Sequence, residues 1–295
     1  MRFLRLLPLL LVLFAASCST PSAPQKSTGK SILWRVQSPT NTVYLMGSIH
    51  VLPKTAYPLK PALRQAFSDS QCVIFEIELG KGQKEKALEE SFGDGLYPAG
   101  KTLSQHLKPE TLAMLKTLLP YFEIKLEQLE PMRPWLVSDL LMSLFLASNG
   151  YRSDIGLDMH YFKEAQKKGK PTGGLEKVAA QTAPFRQFTD AEADEYLRET
   201  IASLPFTGLW FSQMVTAWQT GDVKALDLLI NRSAQNHTAF YKSIFEDRNN
   251  AWMPKIRSFI GGQENVLVVV GSGHLIGRTG VVEQLRRAGY TVEQM

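Results

Sequence analysis

The chain has 295 residues, with 33 Lys and Arg against 28 Asp and Glu, five His and two Cys, for a formal net charge of +5. No clustered Lys/Arg patch carries that excess, which excludes nucleic acid as a partner on charge. With 44% hydrophobic residues, the length suffices for one large α/β domain or two small ones.

The first seventeen residues read as a targeting signal. Arg2 and Arg5 make a basic start, and residues 6–14 make an apolar stretch interrupted only by Pro8. A run this short suits a secretory signal rather than a membrane span. Its ending, Ala15-Ala16-Ser17-Cys18, resembles the bacterial lipobox, which implies cleavage before Cys18 and lipidation of its sulfur. An ordinary secretory signal with an incidental cysteine is the alternative. Ser19 after the cysteine, rather than Asp, resembles lipoproteins sent to the outer membrane. Residues 19–30 are rich in Ser, Thr and Pro and bury too little surface to offset ordering, so residues 18–30 form a lipidated, flexible tether. The folded part is expected over residues 31–295. Removing Arg2 and Arg5 leaves 31 basic side chains against 28 acidic ones, a net charge of about +3. No later apolar run approaches bilayer length, so any membrane attachment is through lipid alone. Only Cys72 then remains; at the start of a strand it reads as a small buried hydrophobe.

Residues 31–36 and 42–46 are apolar runs separated by Gln-Ser-Pro-Thr-Asn, the signature of a β-hairpin. Leu59, Leu63 and Phe67 have helical spacing, and residues 72–79 read as a strand. Strand, helix, strand is the βαβ order and favours parallel pairing of residues 42–46 with 72–79. A mainly helical stretch follows from about residue 102 to 259, punctuated by Pro120, Pro131, Pro134, Gly150, Pro171, Pro184 and Pro205. Within it, residues 136–146 are apolar on most faces and predict a buried helix. Residues 170–175 predict one short strand ending at Glu176. The continuous apolar run 265–270 suits a strand covered on both faces, and residues 281–288 and 290–293 add a helix and a last strand. The reading is α/β at both ends with a large helical insertion between the N- and C-terminal βα portions.

Two phrases repeat across this span: Val43-Tyr44-Leu45-Met46-Gly47-Ser48-Ile49-His50 and Val268-Val269-Val270-Gly271-Ser272-Gly273-His274. Each is a β-like run, then Gly-Ser, one residue, and His. Strand tips are where α/β folds place chemistry, and neutral imidazole is the commonest side-chain metal ligand. Gly47 is expected at positive φ, turning the chain sharply off its strand. In residues 73–79, period-two alternation sets Ile74, Glu76 and Glu78 on one face. Carboxylates in such a strand need a partner. Glu76 is either salt-bridged or a metal ligand or general base beside His50; His50, Glu76 and His274 together suit a divalent metal with open water positions. Arg248 is either a solvated helix arginine or an anchor for a carboxylate or oxyanion. His106, His160 and His237 lie on helix-like stretches, and Asp158 is most simply an N-cap. The chain contains no Gly-x-Ser-x-Gly, His-Glu-x-x-His, phosphate loop or Cys-x-x-Cys.

Several pieces, in order, resemble the TraB/GumN family, which includes Tiki-type metalloproteases. They are Leu45-Met46-Gly47-Ser48-Ile49-His50-Val51, Val73-Ile74-Phe75-Glu76, Gly156-Leu157-Asp158, Gly174-Leu175-Glu176 with Gln181, Asp247-Arg248-Asn249, and Val269-Val270-Gly271-Ser272-Gly273-His274. The resemblance implies an α/β fold of the erythromycin esterase/ChaN-like kind, with a central mixed, partly parallel sheet flanked by helices. It implies an active centre at His50, His274 and Glu76, with Arg248 and Glu176 as neighbours. Where relatives often carry Asp, this chain has Glu78, whose longer side chain changes its reach. It also implies a divalent metal ion, manganese or cobalt, and hydrolysis of a peptide or protein substrate. Glu176 or Glu78 would move protons and Arg248 would stabilise the oxyanion. The resulting expectation is a metal-dependent hydrolase, a peptidase, held in the outer membrane through lipidated Cys18. The alternatives are a non-enzymatic haem-, metal- or peptide-binding envelope lipoprotein, or purely structural histidines.

Overall fold

A computed structural model describes residues 29–78, 89–90, 92–232 and 238–295. The signal, Cys18, nearly all of the tether, Leu79 and His237 lie outside the described residues. Leu33–Gln37 (β1) and Thr42–Ser48 (β2) form the expected hairpin, in register from Leu33 opposite Met46 to Gln37 opposite Thr42. The turn closes because Ser38 Oγ accepts the Asn41 N–H at 3.1 Å while Ser38 N–H reaches Asn41 O at 2.9 Å. The further strands are Leu52–Pro53 (β3), Cys72–Ile77 (β4), Tyr151–Arg152 (β5), Thr172–Glu176 (β6), Val266–Gly271 (β7) and Val292–Gln294 (β8). Six of them form one sheet in the order β6-β4-β7-β2-β1-β8, in which β6, β4, β7 and β2 run parallel and β1 alone runs the other way, antiparallel to both β2 and β8. The fold is therefore α/β with a mixed, largely parallel sheet.

The pairing of β2 with β4 expected from their βαβ order does not occur, because β7 lies between them and is parallel to both. Its Val-Leu-Val-Val-Val run is buried along its whole length. A strand apolar on both faces gains most at the sheet centre, so it displaces the local pair. Strands β3 and β5 make a separate two-stranded antiparallel ladder.

The longer helices are Pro61–Asp69 (α1), Pro109–Leu118 (α2), Pro134–Ser148 (α3), Leu157–Lys168 (α4), Val178–Arg186 (α5), Asp190–Thr220 (α6), Asp247–Ile260 (α7) and Val281–Arg287 (α8). Proline opens α1, α2 and α3, where its missing N–H costs nothing and its fixed φ suits the first turn. Helix α3 is buried on most faces, as its sequence predicts. Pro184 and Pro205 do not break the chain as expected but lie inside α5 and α6. In α6, Ile201, Leu204, Thr207 and Phe211 are buried on either side of Pro205, and this packing carries the 31-residue helix through the lost hydrogen bond. A Thr189/Glu192 capping box starts α6, and Gly221 ends it at φ 75°. Among the described residues, no helix is long and apolar enough to cross a membrane.

Near its C-terminal end, α6 crosses the tip of β2, where Trp218 Nε1 donates to Gly47 O at 2.7 Å. Gly47 does not turn the chain as expected: it stays in β2 opposite Val270, outside the left-handed region. Glycine is required there by space. A Cβ would stand 2.4 Å from Ile32 Cγ2 and 2.9 Å from Ser272 Oγ. Gly47→Ala is accordingly expected to lower stability by about 1–3 kcal/mol. The check is urea unfolding, with a lower midpoint and an unchanged slope.

Candidate active site

The C-terminal ends of four parallel strands place Ser48 (β2), Gly271 (β7), Glu76 (β4) and Glu176 (β6) along one edge of the sheet. The two Gly-Ser-x-His phrases are not side by side in register: Ser48 faces Gly271, and Gly47 faces Val270. Beyond β2 the chain remains non-helical to His50. Beyond β7 it enters a single helical turn, Ser272–Leu275, that carries His274. Ser272 Oγ donates to Ser48 O at 2.9 Å and ties the two tips together.

Nδ1–H of His50 donates to Asp158 Oδ2 at 2.8 Å, and Ser48 Oγ donates to Asp158 Oδ1 at 2.8 Å. Asp158 is therefore not the N-cap; Gly156 holds that position. Gly156 packs so closely that a Cβ would stand 1.9 Å from His50 O, and Leu157 N–H donates to Ile49 O at 3.0 Å. These contacts fix the start of α4 against the end of β2 and turn the second residue of the helix onto the imidazole. Burial opposes charge on His50, but the Asp158 carboxylate, its hydrogen bond and Glu76 outweigh it and push the pKa up to about 9.

His274 has the opposite environment. It is 4% exposed, between Trp252 and Phe245 with ring centroids at 4.4 and 5.0 Å. Its Nδ1–H donates to Asn249 Oδ1 at 2.7 Å, and Asn249 Nδ2 donates in turn to Thr279 O at 3.0 Å, which sets the amide orientation. Nε2 then holds the lone pair and accepts from Arg248 Nη1 at 3.1 Å. Burial and the adjacent Arg248 charge lower its pKa to about 3.

Arg248, 8% exposed, sits at the centre with every N–H used. Nε donates to Glu176 Oε1 and Oε2 at 3.0 and 3.2 Å. Nη2 donates to Glu176 Oε1 and to Glu76 Oε2, both at 2.6 Å, and Nη1 reaches Ile244 O at 3.1 Å besides His274. Glu76 Oε2 also accepts from Gln181 Nε2 at 3.1 Å, and its Oε1 accepts the Gly271 N–H at 2.7 Å. Burial opposes the Glu76 charge, yet His274, Arg248, His50 and the Gly271 N–H together outweigh it and hold the carboxyl well below its ordinary range. For Glu176 burial wins and raises the pKa, against Arg248 and a 2.8 Å hydrogen bond from Trp252 Nε1.

His50, Glu76 and His274 converge on Gly271. A methyl group placed there would lie 3.2 Å from Glu76 Oε1, 3.6 Å from His274 Cδ2 and 3.7 Å from His50 Nε2. Arg248 and Glu176 join the same cluster, while the Glu78 carboxylate accepts from Thr172 Oγ1 at 3.2 Å, toward the start of β6 rather than its tip. His106 stacks on Tyr97 and His160 packs against Tyr57 and Tyr161, both outside the cluster. Sequence reasoning assigned no site role to Asp158, Gln181, Asn249 or Trp252. For Asp158 the available signal was a carboxylate directly after a Gly-Leu pair, within reach of a strand tip.

A metal ion would need free lone pairs. Arg248 engages Nε2 of His274 and one oxygen of Glu76, and the His50 ring carries a proton at neutral pH. Among the described residues, no group of three His, Cys, Asp or Glu side chains is arranged to hold a metal. As arranged, the three residues do not fit one.

The two histidines set opposite pH limits on stability. His274, depressed below the ordinary 6.5, contributes stability that is present above that value and lost as pH falls toward about 3, at up to about 1.4 kcal/mol per pH unit. His50, raised, contributes stability that is full below 6.5 and lost as pH rises through about 9. Stability of the metal-free protein is expected to peak near pH 6.5. Urea midpoints measured from pH 4.5 to 9.5 would show it, with H274N flattening the acid limb and H50N the alkaline one.

The sequence profile of the TraB/PrgY/gumN family matches residues 32–294. The curated protein Metalloprotease TIKI1 of Danio rerio is 26% identical to the chain over 94% of it and 65% of that protein. The Metalloprotease TIKI homolog of Nematostella vectensis is 22% identical over 92% of the chain and 68% of its own length, and the Homo sapiens Metalloprotease TIKI1 is 22% identical over 92% and 63%. The chain thus spans about two thirds of the length of these relatives. No solved structure matches it. A match over nearly all of the described fold, including both His phrases, Glu76, Glu176 and Arg248, identifies the chain as a member of the TraB/PrgY/gumN family.

Proposed function

We propose that this protein is a hydrolase of peptide bonds, acting at the strand-tip cluster. The observation that carries the reading is the convergence of His50, Glu76 and His274 on Gly271, in a chain similar to proteins named metalloproteases over more than nine-tenths of its length. Peptide hydrolysis needs a positive group for the developing oxyanion and a proton for the leaving nitrogen. The His50 imidazolium meets both needs, because Asp158 fixes Nδ1 and directs Nε2–H at the cluster centre. His274, neutral and locked on both nitrogens by Asn249 and Arg248, holds the guanidinium beside the cluster and leaves the proton transfer to His50. The fixed charge of Arg248 adds to the positive field. Family resemblance assigns a divalent ion, manganese or cobalt, to His50, Glu76 and His274, but as arranged these residues do not fit it, and the proposed acid–base chemistry rests on the side chains themselves.

Residues 1–17 and Cys18 support secretion as a lipoprotein, tethered to the outer membrane by a lipidated Cys18 through residues 19–30. Labelled palmitate incorporated by the full-length chain in a bacterial host, and lost in Cys18→Ser, tests this reading; equal labelling in both overturns it.

For the chemistry, cleavage of a peptide library by purified protein is followed with and without added manganese or cobalt. Asp158→Asn removes the ring's anchor without removing the ring, and is expected to lower kcat/KM by about a hundredfold or more while the protein still unfolds cooperatively. No cleavage under any metal condition would sink the hydrolase reading, and peptide bound but recovered uncut would replace it with sequestration.

A further inference from the structure

We propose that the uncharged outer face of α6 around Phe206 and Leu209 rests on the lipid bilayer to which Cys18 is attached, so that the domain lies on the membrane instead of hanging from its tether. The inference depends on the lipoprotein reading proposed above and concerns which face of the domain that anchor brings to the bilayer.

Helix α6 changes character at Thr200. Its first ten residues include Asp190, Glu192, Asp194, Glu195, Arg198 and Glu199, whereas residues 200–220 hold no Asp, Glu, Lys or Arg. A helix that packs one face on a core ordinarily turns charged residues to water on the other. Here the exposed positions are Ala202, Pro205, Phe206, Leu209, Ser212 and Thr216. Phe206 is 56% and Leu209 60% exposed, and at this spacing they are neighbours on the helix surface. Trp210 Nε1 donates to Leu229 O at 3.2 Å, which sets the turn carrying Leu228, itself 51% exposed, against the same part of α6. Three of the four large hydrophobic side chains exposed among the described residues therefore belong to this region. Grouped apolar exposure marks an interaction surface where scattered exposure does not.

The path of the chain selects the bilayer as the occupant. Residues 30 and 31 are pinned beside the C-terminal end of α6: Gln294 Nε2 donates to Ser31 O and to Gly221 O, each at 3.0 Å, and Lys60 Nζ donates to Lys30 O at 2.6 Å. From Gly221 back to Phe206 is about 23 Å along the helix. Residues 19–30 span about 20 Å as a flexible chain and about 40 Å when extended. A lipid on Cys18 therefore enters a bilayer on which α6 lies. The tether makes that contact intramolecular, so a small patch suffices. A face without charge also meets the headgroups with no ion to dehydrate and no acidic side chain to be repelled. Among the described residues no helix can cross the membrane, so the contact is interfacial. A second copy of the chain could cover the same face, but only the bilayer is brought to it by the chain itself. Because Trp218 on this helix donates to Gly47 O, docking also sets the height of the strand-tip cluster above the lipid.

The test uses the full-length chain from a bacterial host, reconstituted into phosphatidylethanolamine/phosphatidylglycerol vesicles containing brominated lipid, which quenches tryptophan at the bilayer. Trp34, Trp135, Trp218 and Trp252 are buried, and Trp210, half-buried beside the patch, is the reporter. Wild type is expected to float with the vesicles and to be quenched, still so at about 0.5 M salt because no charge is involved. Trp210→Phe and Phe206→Ser/Leu209→Ser are expected to float equally and lose the quenching. Flotation of wild type without quenching, or quenching that survives either variant, overturns the inference and leaves the anchor standing. If wild type does not float, both fall. A dimer in detergent that F206S/L209S makes monomeric, with no quenching in vesicles, assigns the face to a second copy and also overturns it. Should F206S/L209S not unfold cooperatively in urea, Leu228→Ser takes its place and is read by the same criteria.

Discussion

The bridge that Arg248 makes between Glu76 and Glu176 is the constraint on which the strand-tip cluster depends. Two carboxylates at adjacent strand ends, both nearly excluded from water, repel each other, and neither is tolerable there without a cation. The arginine that satisfies them comes from α7, far along the chain. It uses five N–H groups on four residues from four elements: β4, β6, the helical turn Ser272–Leu275 and the π-helical turn Lys242–Glu246 that leads into α7. Strand β4, strand β6 and helix α7 are thereby held in one relative position, and the rings of Trp252 and His274 pack around the result. A point charge on a flexible stem could neutralise the pair without fixing this geometry.

Contrast between the two histidines follows from the same arrangement. His274 is locked on both nitrogens, by Asn249 and by Arg248, inside a sleeve of Trp252 and Phe245. His50 is locked on one nitrogen only, its side chain remains 32% exposed, and its partner is an anion. Identical side chains at the ends of adjacent parallel strands thus differ in charge because one neighbour is Arg248 and the other Asp158. The repeated sequence phrase does not hold that distinction.

Much of the site was legible in the sequence because its members sit where local pattern points. Strand alternation aimed Glu76 away from its apolar neighbours, and Gly-Ser after a β-like run marked both His50 and His274 as strand-tip residues. Glu176 closed the one short strand in the helical region. What pattern could not give was contact made by docking. Asp158 looked like a cap because a carboxylate in a first helical turn usually is one; its role depends on Gly156 pressing α4 onto the His50 backbone. Asn249 and Gln181 are ordinary helix residues until α7 and α5 lie against the strand ends. In the fold, the hairpin and the valine-rich strand were readable, but the insertion of β7 between β2 and β4 rests on which strand gains most from double-sided burial. Pro205 misled for a related reason, since tertiary packing on α6 overrides a local penalty.

That central position of β7 also bears on the order of events during synthesis. Ribosomes deliver the chain from its first residue, so β2, β4 and β6 emerge with a gap in their midst that only residues 266–271 can fill. Until then β2 and β4 have no common neighbour, Gly271 is not there to hold Glu76, and His274 does not exist. Whatever chemistry the cluster performs is denied to every incomplete chain. The two halves of the site are joined only by β7, the penultimate strand of the chain to be made.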